Sequence, residues 1–259
     1  MFKQLKNKGW DLEDLNHGLI ISKKLFKKEL NLLADILNAF KLNPEDHFIK
    51  RGGGESDQTS YLSKKFQELE WEKNNITSIN KIIFERKFNQ ISKEGTSHEI
   101  DHIGFNEENK KFAIEIEWNN KDEFFDRDFV NFDKLWNLGV IDLGIIITRG
   151  RNLDLAIKKS VNKYFKKKNI RDFKGFESLQ SSLKDDKGNN KFSFPTDAQK
   201  KQIDKYEGCF VDGATNVFCA QKYGKSTTNW TQLMKRIARG SGSKVPLLFF
   251  GIPDSVIED

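Results

Sequence analysis

Residues 140–148 (VIDLGIIIT) are apolar at nearly every position. So short and continuous a run predicts a strand covered on both faces, because a strand with one wet face alternates instead. Residues 246–252 (PLLFFGI) have the same character near the other end of the chain. Between 99 and 118 the period is different. Residues 99–105 (EIDHIGF) and 112–118 (FAIEIEW) alternate polar with apolar, and the polar turn at 106–109 (NEEN) joins them into a β-hairpin. Across residues 122–138 the stripe Phe125, Phe129, Phe132, Leu135 and Trp136 has helical spacing, and Gly139 ends it. Hairpin, helix and buried strand in this order predict an α/β fold, a mixed β-sheet with helices packed on it.

Outside this segment the pattern is mostly helical. Residues 1–44 read as mainly helical, with Leu25, Phe26, Leu30, Leu33, Ile36, Leu37 and Phe40 on one stripe and Asn43-Pro44 as the stop. Arg51-Gly52-Gly53-Gly54 reads as a loop, since no GK[ST] follows to make it a phosphate cradle. Further elements are expected as a helix from Ser60 to Glu72, a strand at 81–88 and a helix from Thr228 to Arg239. Residues 151–222, rich in Lys, Asn, Ser and Gly, read as an insertion. The expected organisation is a single domain over 1–259 with a helical N-terminal part over about 1–50.

The chain carries a formal charge of +6, concentrated in the basic stretch 149–174. That suits a nucleic acid or another anionic partner, yet it equally describes a solvated helix face. Cys209 and Cys219 stand ten residues apart without a CxxC or paired histidines, which argues against structural zinc and a disulfide framework. With no apolar leader and no apolar run near eighteen residues, a cytoplasmic, membrane-free location is expected.

The chemistry concentrates in the hairpin. Residues two apart in a strand face the same side, roughly 6.5–7 Å apart. Ile114 and Ile116 then face the core, and Glu115 and Glu117 share the other face. Asp101, on the preceding strand, reaches the same spot. Three converging carboxylates repel one another unless a cation neutralises them, and oxygen-only ligands favour Mg²⁺ or Mn²⁺ over zinc. Taken alone, ExE in a strand also describes the ordinary wet face of an antiparallel sheet.

An Asp on one strand and (D/E)-x-(E/K/Q) on the next resembles the PD-(D/E)xK nuclease fold. More narrowly, the chain resembles the BglII, BstYI and BamHI group of type II restriction endonucleases. The resemblance is carried, in order, by Trp71-Glu72-Lys73-Asn74-Asn75-Ile76, Asp101, residues 114–120 (IEIEWNN), residues 143–150 (LGIIITRG), Arg239-Gly240-Ser241-Gly242 and residues 246–252. It covers about residues 50–150 and 223–253 and leaves residues 1–44 and most of 150–222 unmatched.

The resemblance implies Mg²⁺-dependent double-strand cutting at a short specific DNA sequence, with Mn²⁺ as a substitute. It implies Asp101, Glu115 and the backbone carbonyl of Ile116 as metal ligands, and Glu117, in place of the wider fold's lysine, as the acid that handles the attacking water. Asn74 falls where some relatives place a further acid, and Glu72 is near enough to serve instead. For target recognition it implies Asn119 and Asn120 just past the active strand and the loop Lys225-Ser226-Thr227-Thr228. Lys158, Lys159 and Lys166 to Lys168 would contact the DNA backbone. His98 and His102 flank the site in sequence and are expected to point away from it. A homodimer on double-stranded DNA and a companion DNA methyltransferase are implied as partners. Two rival readings stay open: a structure-selective or repair nuclease of the same fold, and a non-catalytic DNA-binding module.

Overall fold

In the computed structural model, residues 2–50, 56–77, 79–84, 89–94, 98–184, 188–240 and 244–258 are described. The glycine link at 51–54, residues 85–88 of the expected strand and Ser241-Gly242 lie outside them. The chain opens with α1 (Lys3–Asn7), β1 (Asp11–Leu15), α2 (Gly18–Leu25) and α3 (Lys27–Ala39), followed by a helical turn at Pro44–Ile49 and α4 (Asp57–Gln67). Next come β2 (Glu72–Ile76), a separate ribbon of β3 (Ile79–Phe84) and β4 (Asn89–Glu94), and the hairpin β5 (His98–Phe105) and β6 (Lys111–Glu117). α5 (Phe124–Asn137) leads into β7 (Leu143–Arg149). Four helices follow, α6 (Leu153–Lys167), α7 (Phe173–Ser182), α8 (Asp197–Asp204) and α9 (Phe210–Lys222), and then α10 (Trp230–Ala238) and β8 (Leu247–Ile252).

Six strands form one mixed sheet in the order β1-β8-β7-β6-β5-β2. The central trio β6, β7 and β8 is parallel, while β1, β5 and β2 attach antiparallel. β7 and β8 are buried at every position, as their unbroken apolar runs require. On one face Phe112, Ile114, Ile145 and Phe250 join the core built with α3, α4, α6 and α9. On the other, Ala113, Ile146 and Phe249 pack against Phe125, Phe129 and Phe132 of α5 and Leu233 of α10. Gly104 is required where β5 passes β6, because a Cβ there would stand 2.3 Å from the Phe112 ring.

Three expectations change. The region 1–44 is mostly helical but contains β1, whose sequence DLEDL carries no strong strand signal. The open edge of β8 supplies the partner that fixes it, Asp11 to Leu15 pairing with Gly251 to Leu247. The second helix ends at Gln67 rather than Glu72, since Glu70 takes a positive φ of 61° and β2 begins at Glu72. Residues 151–222 contain four helices around a phenylalanine cluster: the Phe165 ring lies 5.1 Å from Phe176 and 5.8 Å from Phe218, and Phe194 lies 5.2 Å from Phe218. The intervening lysines and asparagines dilute those aromatics in composition without moving them from the core.

Candidate active site

The site is built at the C-terminal end of β6. A wet sheet face would expose Glu115 and Glu117, yet each is only 2% exposed. They lie on the Ala113 face, which α5 covers, while Ile114, Ile116 and Trp118 belong to the opposite core. The β5–β6 ladder pairs residues 102–105 with 111–114, and past its end Asp101 replaces the backbone partner. Its Oδ2 accepts the Ile116 N–H at 3.0 Å. The N–H and C=O of one strand residue point to the same edge, so the Ile116 carbonyl also faces the β5 side. Asp101, Glu115, Ile116 and Glu117 line one cleft of about 410 Å³ together with Asn120 and Arg127.

A fourth carboxylate underlies them. Asp128 of α5 is fully buried, with its Oδ1 held by Arg127 and its carboxyl close against that of Glu117. Burial pushes the Glu115 carboxyl well above its ordinary range, with Asp128, Asp101 and Glu117 adding repulsion. Burial, then the charge of Asp128, push Glu117 up to about 9, against the Asn120 amide and Arg127, which favour its ionised form. Asp128 itself is raised to about 6 by burial, against the pull of Arg127. The sequence reading overlooked Asp128 although a signal was present: it stands three residues after Phe125 and four before Phe132, an acid on the buried stripe of an amphipathic helix.

The donor set fits a small divalent ion. Crowded, poorly solvated carboxyls retain protons unless a cation compensates them, and hard oxygen donors suit Mg²⁺ or Mn²⁺. Among the described residues no three His, Cys, Asp or Glu side chains are assembled as a ready-made cage. Asp101 and Glu115 with the Ile116 carbonyl are the groups that could hold such an ion, leaving its remaining positions for water and substrate.

The two segments expected to read DNA are brought together. Thr228 N–H donates to the Asn120 carbonyl at 2.8 Å, Asp122 N–H donates to the Ser226 carbonyl at 3.0 Å, and Lys121 bridges Thr227. Asn120 Nδ2 donates to Glu117 Oε2 at 2.9 Å, which couples this rim to the carboxylates. Lys225 and Ser226 are exposed, and Asn119 and Asn120 line the cleft. Thr228, expected at the DNA, is fully buried behind the loop. The Thr227 hydroxyl is engaged too, donating to Gly224 O and accepting from Arg149. Arg149, counted in sequence with the basic stretch, is buried beneath the rim: it donates to the carbonyls of Trp118 and Thr228 and pairs with Asp154. Its guanidinium sits 5.2 Å from the Tyr223 ring centre.

The remaining candidates separate clearly. His102 points away from the site as expected, its Nδ1 2.8 Å from Trp71 O and its Nε2 3.1 Å from Ser63 Oγ; the His98 side chain lies outside the described residues. Asn74 and Glu72 are exposed on β2 and absent from the cleft lining, the Asn74 amide donating to the Glu72 carbonyl instead. β2 directs Lys73 to the cleft in their place. Lys158, Lys159 and Lys166 to Lys168 are exposed on and just after α6, with Lys168 3.3 Å from Glu45 and Lys166 3.8 Å from Asp212.

Among the described residues no helix is long and apolar enough to cross a membrane. A family model described as restriction endonuclease BglII/BglIII matches residues 10–252, through β1 and all four helices of 151–222. A search of curated proteins gave no match.

Proposed function

The chain belongs to the restriction endonuclease BglII/BglIII family, and from that premise we propose that it is a type II enzyme of PD-(D/E)xK fold, grouped with BstYI and BamHI, that hydrolyses both strands of DNA at a short specific sequence with Mg²⁺. The observation that carries this reading is the burial of Glu115 and Glu117 beside Asp101 at the end of a central strand. A protein that only binds DNA gains nothing from buried carboxylates in the path of a phosphate.

In this mechanism Asp101, Glu115 and the Ile116 carbonyl hold the ion, and Mn²⁺ substitutes for it. When bound, the ion supplies a Lewis acid for the scissile phosphate and lowers the barrier to attack by water. Glu117, held at Oε2 by the Asn120 amide, orients the attacking water and takes its proton. The water oxygen bonds phosphorus, the P–O ester bond opposite breaks, and the leaving oxygen receives a proton from solvent. Asn119, Asn120, Lys225 and Ser226 face the major groove, where amides and hydroxyls donate and accept at base edges. Thr227, Thr228 and Arg149 shape that rim from beneath. Two subunits act as a homodimer, one on each strand, and a companion methyltransferase protects the host sites.

The test is digestion of a sequenced plasmid with Mg²⁺ or Mn²⁺. Discrete fragments with uniform ends are expected from the wild type, and Glu115→Ala should lose at least about 100-fold in rate. Smears or junction-dependent cuts would identify a nuclease without sequence specificity, and intact DNA across varied unmethylated substrates would sink the reading.

A further inference from the structure

The acidity of the cleft creates a problem for its proposed substrate. Glu99, Asp101, Glu115 and Glu117 line it and Asp128 lies beneath, whereas among the described residues its lining cations are Lys73 and Arg127. Lys73 is 3.6 Å from Glu99 at the edge of the cleft. Arg127 stands over the carboxylates themselves. Its Nε and Nη2 donate to Asp128 Oδ1 at 3.1 and 2.9 Å, and Nη2 reaches Glu117 Oε1 at 3.4 Å. The Phe124 ring, one helical turn earlier, lies 4.2 Å from the guanidinium carbon and fixes its plane. Among the described residues one edge of the fork is unused. Nη1 makes no hydrogen bond among the described residues, and the side chain is 42% exposed, although Asp128 beside it is fully buried.

We propose that Arg127 is a catalytic residue of this site: its guanidinium holds Glu117 and Asp128 in the metal-free protein and donates, through the free edge of the fork, to a non-bridging oxygen of the scissile phosphate when DNA is bound. This inference rests on the nuclease reading above. A guanidinium suits the task because its donors lie in one plane and remain charged at any working pH. Arg127 gives up no proton. It stabilises the charge that builds on the phosphate oxygens as the water oxygen bonds phosphorus and the ester bond breaks. Its positive charge also acts on Glu115 close by, so Arg127 and a divalent ion held by Asp101 and Glu115 repel one another in the DNA-free site and cooperate once the phosphate arrives.

That opposition gives a test in which a merely structural role predicts something different. Mn²⁺ binding to DNA-free protein, followed by electron paramagnetic resonance, and single-turnover cleavage are measured for wild type, Arg127→Ala and Arg127→Lys. Removing the opposing positive charge should tighten Mn²⁺ binding by about three- to tenfold. The same Arg127→Ala variant should cleave about 100-fold more slowly. Arg127→Lys, which keeps a cation beside Asp128 and protects folding, should leave Mn²⁺ affinity near wild type and still cleave about tenfold more slowly for want of the planar fork. Free guanidinium added to Arg127→Ala should restore part of the rate. Cleavage by Arg127→Ala at the wild-type rate overturns the Arg127 role alone. So does a parallel loss of Mn²⁺ binding and cleavage, which marks a structural residue. A wild type that leaves all DNA intact overturns the nuclease reading, and this role with it.

Discussion

Lys222 shows how one residue can be paid out of water by its neighbours. At the end of α9 its ammonium donates to the carbonyls of Phe48 and Lys50 at 2.7 and 3.0 Å, tying that helix to the turn before α4. Burial lowers its pKa from 10.5 to about 8. A lysine depressed in the folded state binds fewer protons there than in the unfolded chain, so its burial costs stability at neutral pH and that cost is relieved as pH rises from about 8 towards 10.5. The neutral amine still donates to both carbonyls. Wild type should therefore gain on Lys222→Met by up to roughly 3 kcal/mol across that window in urea melts. A difference that stays flat with pH would remove the burial argument. The same physics made Asp128 easy to overlook. Its place on the buried stripe was visible in residues 124–132, but its cost in isolation and its relief by Arg127 follow only from the fold.

Among the elements, α10 depends most directly on a local signal and supports the rim most directly. Asn229 caps it: Oδ1 accepts the Gln232 N–H at 3.1 Å while Nδ2 donates to the Thr227 carbonyl at 3.1 Å. One side chain thus ends the loop at 225–228 and starts the helix. Asn229→Ala should cost about 1 kcal/mol in urea unfolding. It should also weaken binding to the specific DNA more than to non-specific DNA, because the loop proposed to face the bases loses its anchor while the lysines of α6 proposed to contact phosphates are untouched. Equal weakening on both DNAs would count against a reading role for this loop. The hairpin and β7 were legible from period alone, since a change from alternating to continuous apolar character reports how many faces are covered. β1 was not legible, because DLEDL becomes a strand by pairing with β8 from the far end of the chain.

At the scale of the whole molecule, the proposed double-strand cut needs two cleavage sites of opposite polarity, and each chain supplies one carboxylate cleft. Sedimentation equilibrium should show a dimer on a duplex carrying one target site, with two clefts engaged per site. One chain per site, still cutting both strands, would exclude the paired mechanism. The sequence alone determined the central strands and the helical stripe of α5, which rest on residue type and short-range period, and it marked Asp101, Glu115 and Glu117 as candidate carboxylates through the order of the elements around them and the resemblance that order carries. Only the tertiary structure decided that the two glutamates are buried, that Asp128 and Arg127 belong to the same cleft, and that the loop at 225–228 meets Asn120 over a buried Arg149. Those relations depend on segments far apart in the chain, such as Asn120 and Thr228, being brought within hydrogen-bonding distance by a shared sheet. Burial and mutual charge are properties of that assembly, and they set the chemistry of a carboxylate more strongly than its position in the chain does.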